Sequence, residues 1–227
     1  MLTQSEVNRI KHEIAATLKN AASISAIRTS QLLPKSALKG KLYEASVLAN
    51  VCENLVTKEG VSLKLIGGTK LMLKQKGGQI NRSFPYFEVY KNSILWAELF
   101  TDLYFNTLSY RQKGFSIPQI PGDFHEIDIA LIEPNQSGKP QHDKIYLAIE
   151  CKNTTCQKSI IREVLGFRRE LSFFEYSPIS TKFSTWPIST IYSNPGSVHM
   201  LYCSDKDVMK YETNCNRFGI LVNYYKM

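Results

Sequence analysis

The sequence predicts an α/β domain in which a mixed central sheet is flanked by helices, and three observations carry that expectation. Apolar residues recur at helical spacing through the first quarter of the chain. Two later segments, residues 126–132 and 145–152, are apolar on both of their alternating faces, as in strands covered on two sides. A second helical pattern follows directly after them.

The elements follow in order. Residues 4–22 are rich in helix formers behind a Thr3 or Ser5 cap. Pro34 opens a second helix over residues 35–58, with Leu38, Leu42, Ala45, Leu48, Ala49, Cys52, Leu55 and Val56 at helical spacing and Gly60 as its stop. From Val61 the pattern changes to short extended segments punctuated by Gly67-Gly68 and Gly77-Gly78. A hairpin is expected around Lys91-Asn92-Ser93, between residues 86–90 and 94–100. The aromatic run 101–110 has no decisive period.

In the 126–132 strand, Ile127, Ile129 and Leu131 are expected on one face and Asp128, Ala130 and Ile132 on the other. In the 145–152 strand, Ile145, Leu147, Ile149 and Cys151 oppose Tyr146, Ala148, Glu150 and Lys152. A helix over 157–174 comes next, then a long loop near 177–197, a strand over 198–203, a short helix over 205–211 and a strand over 218–224. The 227 residues suit a single domain, with residues 1–34 as a helical extension and 35–227 as the core.

Composition narrows the function. Lys and Arg number 28 against 20 Asp and Glu, a formal charge of +8 that attracts polyanions. Met1 to Asn20 lacks the apolar core of a signal peptide, and no apolar run approaches the ~18 residues of a spanning helix. No membrane partner is expected. Five scattered cysteines without a CxxC pair argue against a disulfide framework and for a reducing cytoplasm; they leave only a weak case for zinc. There is no GxxxxGK[ST] phosphate loop, no GxSxG elbow, and no helix-turn-helix or zinc-finger pattern.

The chemistry concentrates in two stretches, His125-Glu-Ile-Asp-Ile-Ala-Leu-Ile-Glu133 and Ile145-Tyr-Leu-Ala-Ile-Glu-Cys-Lys152. Asp128, Glu150 and Lys152 interrupt strands that are otherwise apolar. Buried charge is costly, so such groups pair with one another or hold a metal. Two carboxylates on neighbouring strands suit Mg²⁺, which keeps room for water and phosphate oxygens. Lys152, two residues after Glu150, projects to the same side and could orient the attacking water. The competing interpretation is an Asp128–Lys152 or Glu150–Lys152 ion pair at a sheet end.

The order Asp128, hairpin, Glu150-Cys151-Lys152 resembles the D…(D/E)xK motif of the PD-(D/E)xK nuclease superfamily. The succession of helix, strands, motif hairpin, helix and strand is similar to the core of its restriction-endonuclease-like fold. The specific motif spans residues 125–153, and Ile127 stands where the family usually has Pro. The resemblance implies a nuclease hydrolysing phosphodiester bonds in nucleic acid, most readily DNA, in a restriction or antiviral defence setting. It implies Mg²⁺, with Mn²⁺ able to substitute, held by Asp128, Glu150 and the Cys151 backbone carbonyl. It also implies a further acid on the preceding helix, for which Glu44 is the candidate. Glu126 and His125 stand close to the motif and Glu133 ends its strand, but all three fit ordinary surface roles. On the following helix Lys158, Arg162 and Arg169 fall within about 40° of one another, a basic stripe suited to phosphates. Ile160, Val164, Phe167, Leu171 and Phe174 take the core side, and Gln157 resembles a Gln that some members place after their Lys. A homodimer or a targeting partner protein would fit this scheme. A non-catalytic nucleic-acid-binding or assembly subunit that keeps the fold is the alternative.

Overall fold

The computed structural model describes residues 3–24, 39–67, 76–114 and 118–227. Helix α1, Gln4–Ala22, begins with a capping box. The Thr3 hydroxyl accepts from the Glu6 backbone N–H, and the Glu6 carboxylate accepts from the Thr3 backbone N–H at 2.7 Å. Helix α2, Lys39–Lys58, stops before Gly60, whose φ of 73° suits a residue without Cβ. Its expected start at Pro34 and Lys35 lies outside the described residues, as does Gly68. Ile10, Ile14 and Leu18 of α1 share one core with Leu48, Val51 and Leu55 of α2.

The chain then builds a seven-stranded sheet from β1 (Ser62–Ile66), β2 (Tyr86–Lys91), β3 (Ile94–Asn106), β4 (Phe124–Ile132), β5 (Ile145–Lys152), β8 (Val198–Cys203) and β9 (Ile220–Tyr224), in that spatial order. The pairs from β1 through β5 are antiparallel; β5–β8 and β8–β9 are parallel. Between β3 and β4 lies the short helix α3, Leu108–Gln112. Helix α4, Lys158–Leu171, crosses from β5 to the parallel β8, and α5, Glu212–Arg217, precedes β9. The fold is therefore mixed α/β, a mostly antiparallel central sheet flanked by helices. Among the described residues no helix is long and apolar enough to cross a membrane.

The β2–β3 hairpin turns at Asn92 and Ser93, both at positive φ, the conformation that matches a tight two-residue turn to strand twist. The aromatic run after Phe100 continues β3 as far as Asn106.

Three expectations are corrected. Helix α4 ends at Leu171, so Phe174 belongs to a strand rather than to the helix's apolar side. Much of the segment expected as a long loop is a two-stranded ribbon of β6 (Phe173–Ser180) and β7 (Thr190–Asn194), whose pairing no local periodicity announces. Ile127 packs with Phe100, Leu103, Phe105, Ala130 and Ile132, not with Ile129 and Leu131. The cause is a slip in strand alternation at Asp102, which adopts a φ of 50° between the Thr101–Ile129 and Leu103–Ile127 pairs.

Candidate active site

The β4–β5 ladder is anchored by Ile129–Ile149, Ala130–Ala148 and Leu131–Leu147, all fully buried. Asp128 and Glu150 follow the Ile129–Ile149 pair directly, one on each strand. The Asp128 Oδ2 accepts a hydrogen bond from the backbone N–H of Cys151 at 2.7 Å. A strand residue's N–H and C=O point toward the same neighbour, so the Cys151 carbonyl faces this side as well. Glu150 is buried, and the Lys152 Nζ lies 3.5 Å from its Oε2. The same Nζ donates to Glu163 Oε1 of α4 at 2.8 Å. Asp128 and Glu150 thus occupy adjoining positions of β4 and β5, with the Lys152 ammonium beside Glu150.

Glu44 joins them from α2. Its carboxylate accepts from Lys41 Nζ at 2.5 Å, and that ammonium also bonds Asp102 Oδ1 at 2.5 Å. Electrostatic coupling ties the acids into one group. Burial pushes Glu150 up to about 8, with the negative charge of Asp128 adding to it. Burial likewise raises Glu44 to about 7 and Asp102 to about 6, and Asp128 repels both. Asp128 itself is raised by burial, against the Cys151 hydrogen bond. Lys41 and Lys152 are held above their ordinary range despite burial, Lys41 by Asp102 and Glu44 and Lys152 by Glu150 and Glu163. This is a concentration of carboxylates that strains to lose charge, with two ammonium groups only partly offsetting it.

Sequence reasoning missed Asp102, Lys41 and Glu163. Asp102 is a lone acid inside an apolar and aromatic run, the same signal that marked Asp128, but the run had no clear period to place it. Its side chain is completely buried, and its Oδ2 has no hydrogen-bond partner among the described residues. Lys41 precedes Glu44 by three residues, a spacing that brings helix side chains into contact. Glu163 sits on the exposed side of α4 beside the basic residues that drew the attention.

The other expected residues are placed as follows. Lys158, Arg162 and Arg169 are exposed on α4. The Cys151 thiol faces the core, where burial raises it well above the ordinary thiol range. All five cysteines are free. His125 packs against the rings of Phe105 and Phe167, and Glu133 pairs with Lys144 at 2.8 Å, which leaves both outside the acidic group. Beyond Lys152, the carboxyl ends of β5, β8 and β9 surround a shallow polar depression lined by Lys39, Asn153, Asp205, Lys206 and Lys226.

Among the described residues, no three His, Cys, Asp or Glu side chains are grouped so as to hold a metal ion by themselves. Magnesium does not require that, since it commonly takes one or two carboxylates and keeps several waters. Asp128 and Glu150 supply that number, with the Cys151 carbonyl as a third oxygen. A buried acid oxygen left without a partner among the described residues, Asp102 Oδ2, fits a site that gains cations when loaded. Comparison of the chain with protein-family models, curated proteins and solved structures gives no significant match.

Proposed function

We propose that this protein is a Mg²⁺-dependent nuclease of the PD-(D/E)xK kind that hydrolyses phosphodiester bonds in DNA. One observation carries the reading: Asp128 and Glu150 stand next to each other where the β4–β5 ladder ends, with the Lys152 ammonium beside Glu150. The order of α2, the antiparallel β3–β4–β5 meander, the α4 crossover and the parallel β8 supports it, since the resemblance leads one to expect that succession.

Asp128, Glu150 and the Cys151 carbonyl are the groups that would hold magnesium. Bound there, the ion supplies Lewis acidity and a more acidic water. The chain's own residues do the rest. The Cys151 N–H fixes the rotamer of Asp128, and Glu163 holds Lys152 from α4. Lys152 orients the attacking water and offsets charge gathering on the phosphoryl oxygens. Glu44, near neutrality in its proton affinity, is suited to receive a proton. Lys158, Arg162 and Arg169 grip the backbone, and Lys39, Lys206 and Lys226 line a path for it past Lys152. The restriction or defence setting rests on the resemblance alone.

The ion pairs of Lys41 and Lys152 are also what a purely structural network would use. Calorimetric titration with Mn²⁺ separates the two: binding that Asp128→Ala abolishes supports the nuclease, and heats identical in both proteins refute it.

A further inference from the structure

The described residues expose seven large apolar side chains, and three of them, Phe173, Tyr176 and Phe218, gather around the start of the β6–β7 ribbon. Isolated exposed apolar side chains are ordinary; a cluster is not. Tyr176 is 86% exposed, Phe218 45% and Phe173 40%. The half-buried Phe174 links Tyr176 and Phe218, its ring centroid 5.4 Å from the first and 5.7 Å from the second. Phe173, Phe174 and Phe218 line one small cavity with Arg168 and Arg169.

The helix side of the patch is basic, while Glu175 stands on the ribbon between Phe174 and Tyr176. The Arg169 guanidinium lies 5.7 Å from the centre of the Phe173 ring, a cation–π distance. Beneath it Arg168 is fully buried, and its donors go to Ser193, Ser197 and the Phe218 carbonyl rather than to a carboxylate. Burial pulls that guanidinium down to about 9, and among the described residues no carboxylate pairs with it. Glu170, the adjacent acid, is turned away to the Ser109 N–H at 3.0 Å.

The position is informative too. Arg162 and Arg169 fall on one stripe of α4 as it runs away from Glu163, the partner of Lys152, and Arg169 meets Phe173 at the start of β6 just past the helix end. At 1.5 Å per residue Arg169, at the edge of the patch, is about 9 Å along the helix axis from Glu163, roughly two to three steps of a nucleic-acid strand. A basic track thus leads from the acidic site to a set of open aromatic faces. Phosphates suit the track; aromatic faces suit bases that are not paired, because the faces of paired bases are occupied by their neighbours in the stack.

We propose that Phe173, Tyr176 and Phe218 form a stacking platform for unpaired bases, so that the strand reaching the Asp128–Glu150 site is single-stranded or locally opened. That this strand is a substrate rests on the nuclease reading; the stacking itself does not.

The test measures binding of fluorescein-labelled oligothymidylate, and of a blunt duplex of equal length, by anisotropy in EDTA. The full chain is compared with F173A/Y176A and F173W. The expected result is a preference for the single strand, which F173A/Y176A weakens between ~5- and ~150-fold. Duplex affinity should change less than ~3-fold, and F173W should retain single-strand binding with its added indole fluorescence quenched. Equal losses on both ligands, or no loss on the single strand, would overturn the proposal. So would a dimer in light scattering that F173A/Y176A dissolves, because the patch would then be a contact between copies. EDTA removes metal-dependent cleavage, so an inactive nuclease with intact single-strand binding would fail the functional reading and leave this one standing.

Discussion

Asp128 of β4 reaches across the ladder to accept the backbone N–H of Cys151 at 2.7 Å, the residue between Glu150 and Lys152. That bond fixes one carboxylate oxygen and sets the acid beside Glu150. Asp128→Asn can keep the bond through its amide oxygen while removing the charge. The variant should therefore melt within a few degrees of wild type yet lose at least ~100-fold in metal-dependent cleavage. A melting temperature far below wild type would show that the charge serves the fold.

The acidic group makes stability fall as pH rises. Glu150, Glu44 and Asp102 hold protons in the folded chain up to about 8, 7 and 6, above the values carboxylates have when unfolded. Through these three acids the folded state binds more protons than the unfolded state between roughly pH 4.5 and 8, so their contribution to stability is present at low pH and lost through this window. Below about pH 6.5 buried His142 and His199, both lowered by burial, act with the opposite sign. Each extra proton is worth about 1.4 kcal/mol per pH unit. The metal-free melting temperature should drop from pH 6.5 to pH 8, where the histidines no longer titrate, Glu150→Gln should flatten the slope, and Mg²⁺ should raise the curve at pH 8. A flat or rising metal-free profile would contradict this electrostatic picture.

Lys41 bonds both Glu44 and Asp102. Lys41→Met leaves Asp102 buried without its partner, and breaking such a pair costs about 3–5 kcal/mol. Urea denaturation should show that loss, and adding Asp102→Asn should recover part of it. A single-variant loss below about 1 kcal/mol would remove Lys41 from the network.

The motif was legible because strand alternation exposes anomalies: Asp128 and Glu150 stand where Ile or Val would suit a buried strand. The capping of α1 at Thr3 and the extent of β5 followed from equally local rules. Asp102 was hidden because its φ of 50° breaks the alternation that would have located it, and the same break moved Ile127 to the other core. The β6–β7 ribbon was hidden for another reason. Its strands are exposed along most of β6 and pair across an intervening proline-containing segment, so neither apolar alternation nor a short turn marks them.

The basic stripe has a salt signature. Each phosphate contact contributes about 0.9 to the slope of log affinity against log salt on duplex DNA. Arg162→Ala with Arg169→Ala should therefore lower the magnitude of that slope by about 1.8 if both touch phosphates. An unchanged slope would place the backbone elsewhere, such as along Lys39, Lys206 and Lys226.

The most direct test incubates the purified protein with supercoiled plasmid and Mg²⁺ or Mn²⁺, beside Glu150→Ala and Lys152→Ala. Metal-dependent nicking or linearisation that both variants lose is the result this account predicts. Undiminished cutting by both variants would contradict it, since a phosphodiester would then be hydrolysed without the two residues on which the site is built.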